Sequence, residues 1–365
     1  LTLLKNLLLE HKDALAAAID ADFTARSADE TMLAEILPCV QNINHTLLHL
    51  RNWMKPDQRS VGLHFLPAAA RVVYQPLGVV GIIVPFNYPV NLAIVPLVAA
   101  LAAGNRAMIK MSEFTPKTAA LMADMLRKGF AEDQVAVITG AADIAAAFSK
   151  LPFDHLLFTG STAIGKLVMR TAAENLTPVT LELGGKSPAI IADDIPLTDI
   201  IDRLCFAKSL NAGQTCVAPD YILIPRHKLE VFLQLYKAAF RKMFPSINGN
   251  PHYTSIINAH SLQRLQDWLK DASEKGARIE SVSDETIDDG TFRMPLHLVT
   301  EVTDEMKIMQ HELFGPILPV IPYDTIEAAL AYVKQRPRPL SLYLFSYDPA
   351  LQELVTLSTH SGSIC

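Results

Sequence analysis

Val79-Val80-Gly81-Ile82-Ile83-Val84, followed at once by Pro85-Phe86-Asn87-Tyr88-Pro89, is the stretch from which the architecture of this chain is read. A run that is apolar at every position, and not at alternate ones, is a strand covered on both faces. A helix follows and closes at Gly104-Asn105, and Arg106 to Met111 is the next strand. Thr115-Pro116, an N-cap with proline at the first helical position, starts a helix to about Phe130. Strand Gln134 to Ile138, helix Asp143 to Lys150, strand His155 to Phe158 and helix Thr162 to Ala173 continue the alternation. Strands and helices taking turns at this pace predict a doubly wound parallel sheet of the α/β class. Ligands of such sheets sit at the carboxyl ends of the strands. The loops Pro85 to Pro89, Lys110 to Glu113 and Thr159 to Gly165 all lie there.

Upstream, Leu3, Leu4, Leu7, Leu8, His11, Leu15 and Ala18 recur at helical spacing to about Phe23, and Ser27-Ala28-Asp29-Glu30 reads as a capping box for a helix running toward Trp53. Val61 to Pro76 reads as an exposed hairpin or subunit contact, with β-favouring Val72, Val73 and Tyr74 between proline breaks. Downstream, a second α/β segment runs from Ile190 to about Leu357, with surface loops expected at Ser246 to Tyr253 and Asp284 to Gly290. At 365 residues, two packed domains are the natural expectation.

Composition excludes several classes. Half the residues are hydrophobic and 19% are charged, which suits a folded enzyme and not a disordered chain. A net charge of −6 with both signs interspersed offers no basic face to nucleic acid. The longest apolar run, Val90 to Ala103, is interrupted by Asn91 and Pro96 and is too short for a transmembrane segment. Cys39, Cys205, Cys216 and Cys365 have neither disulfide nor zinc spacing, so no metal is expected and a reducing cytoplasm fits. The chain opens on Leu1 in mid-helix, so missing upstream residues are an open expectation.

The chemistry concentrates at Asn211-Ala212-Gly213-Gln214-Thr215-Cys216-Val217-Ala218-Pro219. Cysteine is commonly a small buried hydrophobe, which suits Cys39 and Cys205 inside helical apolar patterns. It suits Cys216 poorly, because a Gly-containing loop leaves a thiol open to ionisation and approach. Cys216 reads as a nucleophile. Glu182, between Leu181 and Leu183, reads as a carboxylate embedded in an apolar strand. The plain alternative is an ion pair, with Lys186 close in sequence; in a dry pocket its pKa should rise toward neutrality, as a general base requires. Asn87 is held between two prolines and reads equally as a turn residue or as an oxyanion donor.

Phe158-Thr159-Gly160-Ser161-Thr162-Ala163-Ile164-Gly165 passes from strand through a small-residue turn into a helix start, which favours a phosphate. It is not G-x-G-x-x-G and is weak alone as a dinucleotide signal. Lys110-Met111-Ser112-Glu113 offers a cation and a carboxylate for ribose hydroxyls, or is a solvated loop. Gly185-Lys186-Ser187 fails as a P-loop, since Thr180 stands where a glycine is required and Pro188 blocks the helix. His311-Glu312 lacks the second histidine of a zinc-protease helix.

Taken together, Pro-Phe-Asn-Tyr-Pro at 85–89, Lys-Met-Ser-Glu at 110–113, Phe-Thr-Gly-Ser at 158–161, Leu-Glu-Leu-Gly-Gly-Lys at 181–186, Gly-Gln-Thr-Cys at 213–216 and Glu-Leu-Phe-Gly-Pro at 312–316 resemble the NAD(P)-dependent aldehyde dehydrogenase superfamily. Pro219-Asp220-Tyr221 after the cysteine is similar to its class 3 and coniferyl aldehyde dehydrogenase branch. The resemblance implies a Rossmann-type cofactor domain, an α/β catalytic domain and an oligomerisation hairpin. On this chain they correspond to residues 76–184 with the N-terminal helices 1–60, to 185–365, and to 61–75.

It also implies Cys216 as nucleophile, Glu182 as base and Asn87, with the Cys216 N–H, as oxyanion donors. Lys110 and Glu113 fall on the ribose contacts, Gly160, Ser161 and Gly165 on the pyrophosphate turn, and Glu312 and Phe314 on the nicotinamide side. Phe86 and Tyr88 would line a substrate tunnel suited to an apolar or aromatic aldehyde. Glu113 should repel a 2′-phosphate, favouring NAD while leaving NADP possible. A homodimer is implied where the family's full C-terminal segment is present. Family members continue past the position of Cys365, so a truncated chain is expected. The alternatives are a CoA-acylating relative, which generally lacks the Glu182 base, a non-redox thiol hydrolase, and a catalytically silent truncated form.

Overall fold

The computed structural model describes residues 1–285 and 290–365. The expected loop from Asp284 to Gly290 therefore lies partly outside the described residues. The chain folds into two compact units, residues 1–19 with 28–182 and residues 20–27 with 183–365.

The N-terminal periodicity forms two helices, Thr2–Glu10 and Lys12–Phe23, where one was expected. They part at His11, whose ring nitrogen lies 2.8 Å from the Leu7 carbonyl oxygen. Helix Ala28–Thr31 continues through a π-helical turn, Met32–Ile36, into helix Leu37–Trp53. The widened turn carries Glu35, which is completely buried.

Strands β1 (Asp57–Arg59) and β2 (Ala70–Val72) pair antiparallel, Asp57 opposite Val72, starting four residues before Val61. Leu63, Phe65, Leu66, Val73 and Tyr74 around it are exposed.

The main sheet of the first unit is built from β3 (Val79–Ile83), β4 (Arg106–Lys110), β5 (Val135–Ile138), β6 (His155–Gly160) and β7 (Val179–Leu183). Its strand order is β5-β4-β3-β6-β7, and β3 to β6 are parallel. The helix Asn91–Ala102 between β3 and β4 and the helix Thr162–Ala173 after β6 are typical connections. Gly81 is required at its place in β3 because a Cβ there would meet the Phe153 ring at 2.7 Å. The chain winds outward from β3 to β5 and then returns to the other side of β3. The topological switch point thus falls between β3 and β6, where the loops Pro85 to Pro89 and Thr159 to Gly165 emerge.

The second unit has a seven-stranded sheet from β8 (Pro188–Ile191), β9 (Tyr221–Pro225), β10 (Arg278–Ser281), β11 (His297–Thr300), β12 (Ile317–Tyr323), β13 (Ser341–Phe345) and β14 (Ser363–Ile364). Its order is β10-β11-β12-β9-β8-β13-β14, parallel except for the β10–β11 pair. Successive residues feed opposite faces, as the two-residue period of a strand demands. Ile222 and Ile224 join one core with Phe232, Tyr236 and Phe240; Tyr221 and Leu223 join the other with Leu265 and Leu330.

Candidate active site

In the first unit the loops after β4, β3 and β6 come out at neighbouring carboxyl ends. Asn87 and Tyr88 are buried, Phe86 is half-buried, and the Phe86 ring meets Phe114 edge to face at 6.0 Å. A residue that sequence reasoning missed holds this loop. The Glu35 carboxylate accepts from the N–H groups of Val90 at 2.9 Å and Asn91 at 2.7 Å, satisfying backbone donors at the start of the helix Asn91–Ala102. Its partners are 55 and 56 positions away in sequence, so no local pattern announces it.

Lys110 is buried, and its ammonium donates to the carbonyls of Met111 at 2.7 Å and Gly140 at 2.8 Å. Two of its three donors are thereby taken, leaving one for a ribose hydroxyl. Desolvation lowers its pKa, against the opposing pull of Glu113 and Asp143. Ser161 is the N-cap of the helix Thr162–Ala173, its hydroxyl accepting from Ile164 N–H at 3.4 Å. Residues 161–164 are exposed, so the first-turn N–H groups face outward, as a pyrophosphate requires. At Gly160 a Cβ would meet the Phe158 ring at 2.7 Å, so only glycine keeps this turn tight. Gly165 lies in the same helix and is buried. These groups fit a dinucleotide.

Glu182 departs from expectation. It is exposed, not embedded, because β7 is an edge strand whose residues alternate between half-buried and exposed. Nor does it pair with Lys186, whose ammonium goes to the Asp220 carboxylate and to the carbonyls of Ile308 at 2.8 Å and His311 at 3.0 Å.

In the second unit the helix Ile201–Ser209 is followed by a turn in which Asn211 (φ 52°), Ala212 (φ 51°) and Gly213 (φ 75°) are all left-handed. Two non-glycine residues in that region represent stored strain, and such strain gathers at functional sites. Gly213 has no substitute, since a Cβ would meet the Gly315 carbonyl oxygen at 2.6 Å. Gln214, 1% exposed, braces the turn. Its amide donates to the carbonyls of Asn211 and Ser255 at 3.0 Å each, and its oxygen accepts from Ile257 N–H at 3.0 Å. Cys216 leaves this brace half-buried, while Cys39 and Cys205 are sealed in the core. Burial pushes the Cys39 thiol up beyond the physiological range and the Cys205 thiol up to about 12. Cys216 is thus the loop thiol that the sequence singles out. Just beyond it, the Tyr343 hydroxyl donates to the Val217 carbonyl at 2.5 Å.

Behind the turn lies a charge cluster in which Asp220 and Lys208 are buried and Lys186 and Glu312 half-buried. Asp220 accepts from Lys186 and, at 2.9 Å, from Leu313 N–H. The Glu312 carboxylate rests against Gly184, where any Cβ would overlap both its oxygens, and it accepts from Gly185 N–H. Burial, then the nearby Asp220, pushes its pKa up to about 7 against the pull of that N–H, Lys186 and Lys208. Phe314, two residues on, is another left-handed non-glycine residue at φ 49°. Lys208 is completely buried, its ammonium has no hydrogen-bond partner among the described residues, and desolvation lowers its pKa to about 8. Among the described residues no cluster of His, Cys, Asp and Glu could hold a metal, and no helix is long and apolar enough to cross a membrane.

Comparison with known proteins gives these observations a context. The profile described as the aldehyde dehydrogenase family matches residues 1–365. A protein named probable coniferyl aldehyde dehydrogenase from Pseudomonas aeruginosa is 58% identical over 362 residues, covering 99% of this chain and 75% of the relative. The substrate-bound structure of Staphylococcus aureus AldH superposes with a TM-score of 0.93 at 34% identity, covering 100% of this chain and 78% of that one. A Mycobacterium tuberculosis aldehyde dehydrogenase solved with NAD+ gives 0.89 at 28% identity, covering 100% of this chain and 75% of that one. The chain belongs to the aldehyde dehydrogenase family, whose NAD-dependent oxidation of aldehydes runs through a cysteine thiol, and within it is closely related to the coniferyl aldehyde dehydrogenase-like, class 3 branch.

Proposed function

We propose that Cys216 is the thiol of this reaction and that the substrate is an apolar or aromatic aldehyde, of which coniferyl aldehyde is the first to test. The observation that carries the assignment is the contrast among the cysteines. Cys216 alone follows a strained, Gln214-braced turn, while Cys39 and Cys205 are sealed in the core with raised pKa values. The Cys216 thiolate adds to the aldehyde carbon, and the electron pair of the C=O bond moves to oxygen. The Asn87 amide and the Cys216 N–H stabilise that oxyanion, and removing one such donor costs about 10²–10³ in rate. Bound NAD supplies the acceptor for the hydrogen and electron pair leaving the aldehyde carbon. Cys216 is left as a thioester. The Glu182 carboxylate takes a proton from water, whose oxygen adds to the thioester carbon. Collapse then releases the carboxylic acid and restores the thiolate.

In the same reading Ser161, with Gly160 and Gly165, holds the pyrophosphate, Lys110 and Glu113 hold one ribose, Glu312 and Phe314 hold the nicotinamide side, and Phe86 and Tyr88 line the substrate path. Residues 76–184 serve the cofactor and residues 185–365 the chemistry. A homodimer through the hairpin is supported by the exposed Leu63, Phe65, Val73 and Tyr74. A cytoplasmic setting is supported by four cysteines of which none is in a disulfide. A specific observation favours a second reading of the base: Glu182 is exposed, whereas Glu312 is desolvated and titrates at about 7. Under that reading Glu312→Gln, and not Glu182→Gln, accumulates the thioester.

Cys216→Ala should abolish NADH formation and leave NAD affinity unchanged by calorimetry; NADH formed by that variant at the wild-type rate ends the assignment. A panel of aliphatic and aromatic aldehydes compared by kcat/KM identifies the substrate class. An aliphatic preference overturns the aromatic reading.

A further inference from the structure

Tyr343 reaches from β13 to the turn that carries Cys216, and its role is still open. Thr215 to Ala218 form a tight turn, closed by the Ala218 N–H donating to the Thr215 carbonyl at 3.0 Å, with Cys216 and Val217 at its centre. The Tyr343 hydroxyl donates to the Val217 carbonyl at 2.5 Å. The two bonds share a peptide group. Val217 C=O and Ala218 N–H belong to one planar unit, and Thr215 C=O and Cys216 N–H belong to another. A continuous line results: Tyr343 O–H to Val217 C=O, then Ala218 N–H to Thr215 C=O, with the Cys216 N–H at its far end. Hydrogen bonds in such a line polarise one another, by about 10–30% per bond.

The phenol stands on a rigid base. Tyr343 pairs in register with Ala189 of β8 on one side of β13. On the other side the Leu344 N–H donates to the Cys365 carbonyl at 2.9 Å and the Cys365 N–H to the Leu342 carbonyl at 3.0 Å. Burial raises the pKa of the phenol, so it keeps its proton and stays a donor at neutral pH. The bond it makes is exposed and Val217 is 38% exposed, so water can satisfy the carbonyl when the hydroxyl is removed. Water does not supply a fixed direction.

We propose that Tyr343 is a positioning residue that, through these two peptide groups, aims and polarises the Cys216 N–H toward the oxygen that gains charge when the thiolate adds to the aldehyde. The proposal rests on the reading of Cys216 as the nucleophile and of its N–H as an oxyanion donor. Gln214 braces the residues before Cys216 and Tyr343 holds the residue after it, so the donor between them points one way. A donor free to swing stabilises the transition state less, because its alignment must then be achieved during the reaction step itself.

The test is Tyr343→Phe in the whole chain, which keeps the ring and removes the O–H. The pre-steady-state burst of NADH, at saturating NAD and aldehyde, follows the steps through the oxyanion. It should slow about tenfold, less than the roughly 10²–10³ lost with a whole donor. NAD affinity by calorimetry and the melting temperature should stay at their wild-type values. Iodoacetamide alkylates Cys216 by displacement at a saturated carbon and forms no oxyanion, so its rate should also be unchanged. A merely structural role would slow alkylation and lower the melting temperature along with the burst. A burst at the wild-type rate overturns the proposal, and so does an equal slowing of burst and alkylation. Replacing the Ala218 N–H by an ester oxygen breaks the same line at its second bond with Tyr343 intact. That chain should show the same slowed burst, and a wild-type burst from it overturns the relay. Cys216→Ala separates this inference from the reading beneath it. NADH formed by Cys216→Ala at the wild-type rate refutes that reading, whereas an inert Cys216→Ala beside an unslowed Tyr343→Phe refutes only the role of Tyr343.

Discussion

The carboxylate of Glu312 rests on the α-carbon of Gly184, in a seat that no residue with a side chain leaves open. Gly184 has ordinary backbone geometry, so alanine is not strained there, and the atoms it would displace are the mobile end of one side chain. Gly184→Ala should therefore fold with a melting temperature near wild type while expelling Glu312 into water. Outside the seat the carboxyl returns toward its ordinary pKa, so that if Glu312 contacts NAD, the change in NAD affinity expected around pH 7 in the wild type should disappear in the variant. Calorimetric titration at pH 6 and pH 8 checks this; equal pH dependence in both proteins refutes the link between seat and titration.

Alkylation separates the four thiols. Cys39 and Cys205 are inaccessible and their thiolates are disfavoured by burial, whereas Cys216 is half-buried and Cys365 exposed. Iodoacetamide on the native chain should label Cys216 and Cys365 and spare the other two, with all four modified in denaturant. NADH formation should fall in step with modification of Cys216, and Cys365→Ser should not protect it. Peptide mass spectrometry reads both.

The loop of Asn87 depends on Glu35. Glu35→Ala leaves the Val90 and Asn91 N–H groups without their acceptor in a mostly buried place, at a cost of roughly 2 to 4 kcal/mol. A loosened loop should also lower kcat about ten- to a hundredfold, since misplaced groups lose catalysis steeply. Urea denaturation and steady-state assay measure the two effects. Glu35→Gln, which keeps one acceptor oxygen, should recover part of both.

Much of this was legible in the chain itself, and the exceptions share a cause. The run Val79 to Ile83 and its successors declare a parallel sheet because burial on both faces needs only local composition. The Cys216 turn is announced by Gly213 and Pro219. The exposure of Glu182 was legible too, since Val179-Thr180-Leu181-Glu182-Leu183 alternates, the mark of a strand with one face outward, although its leucine neighbours suggested enclosure. Lys208 was readable in principle, four residues after Leu204 and three after Cys205 on one helix face. Glu35 was not, since its partners belong to another helix. The left-handed Ala212 and Phe314 were also invisible, because neither residue type favours that region by itself.

The buried titrations also set the stability of the second unit against pH. Glu312 has its folded pKa raised from 4.5 to about 7, so it favours the folded state when protonated. Its contribution is complete below pH 4.5 and is lost as pH rises through about 7. Lys208 has its folded pKa lowered from 10.5 to about 8, so its contribution is complete above 10.5 and is lost as pH falls through about 8. Between these limits, near neutrality, the fold carries both charges in a desolvated place. Glu312→Gln cannot ionise and should gain up to about 3 kcal/mol relative to wild type at pH 8 and little at pH 4.5. The gain will be smaller to the extent that loss of a nearby negative charge disfavours the buried Lys208 ammonium. Urea unfolding at pH 4.5, 6, 7 and 8 measures the difference directly. A stability gap between the two proteins that does not widen from pH 4.5 to pH 8 would mean that Glu312 is not the desolvated carboxyl described here.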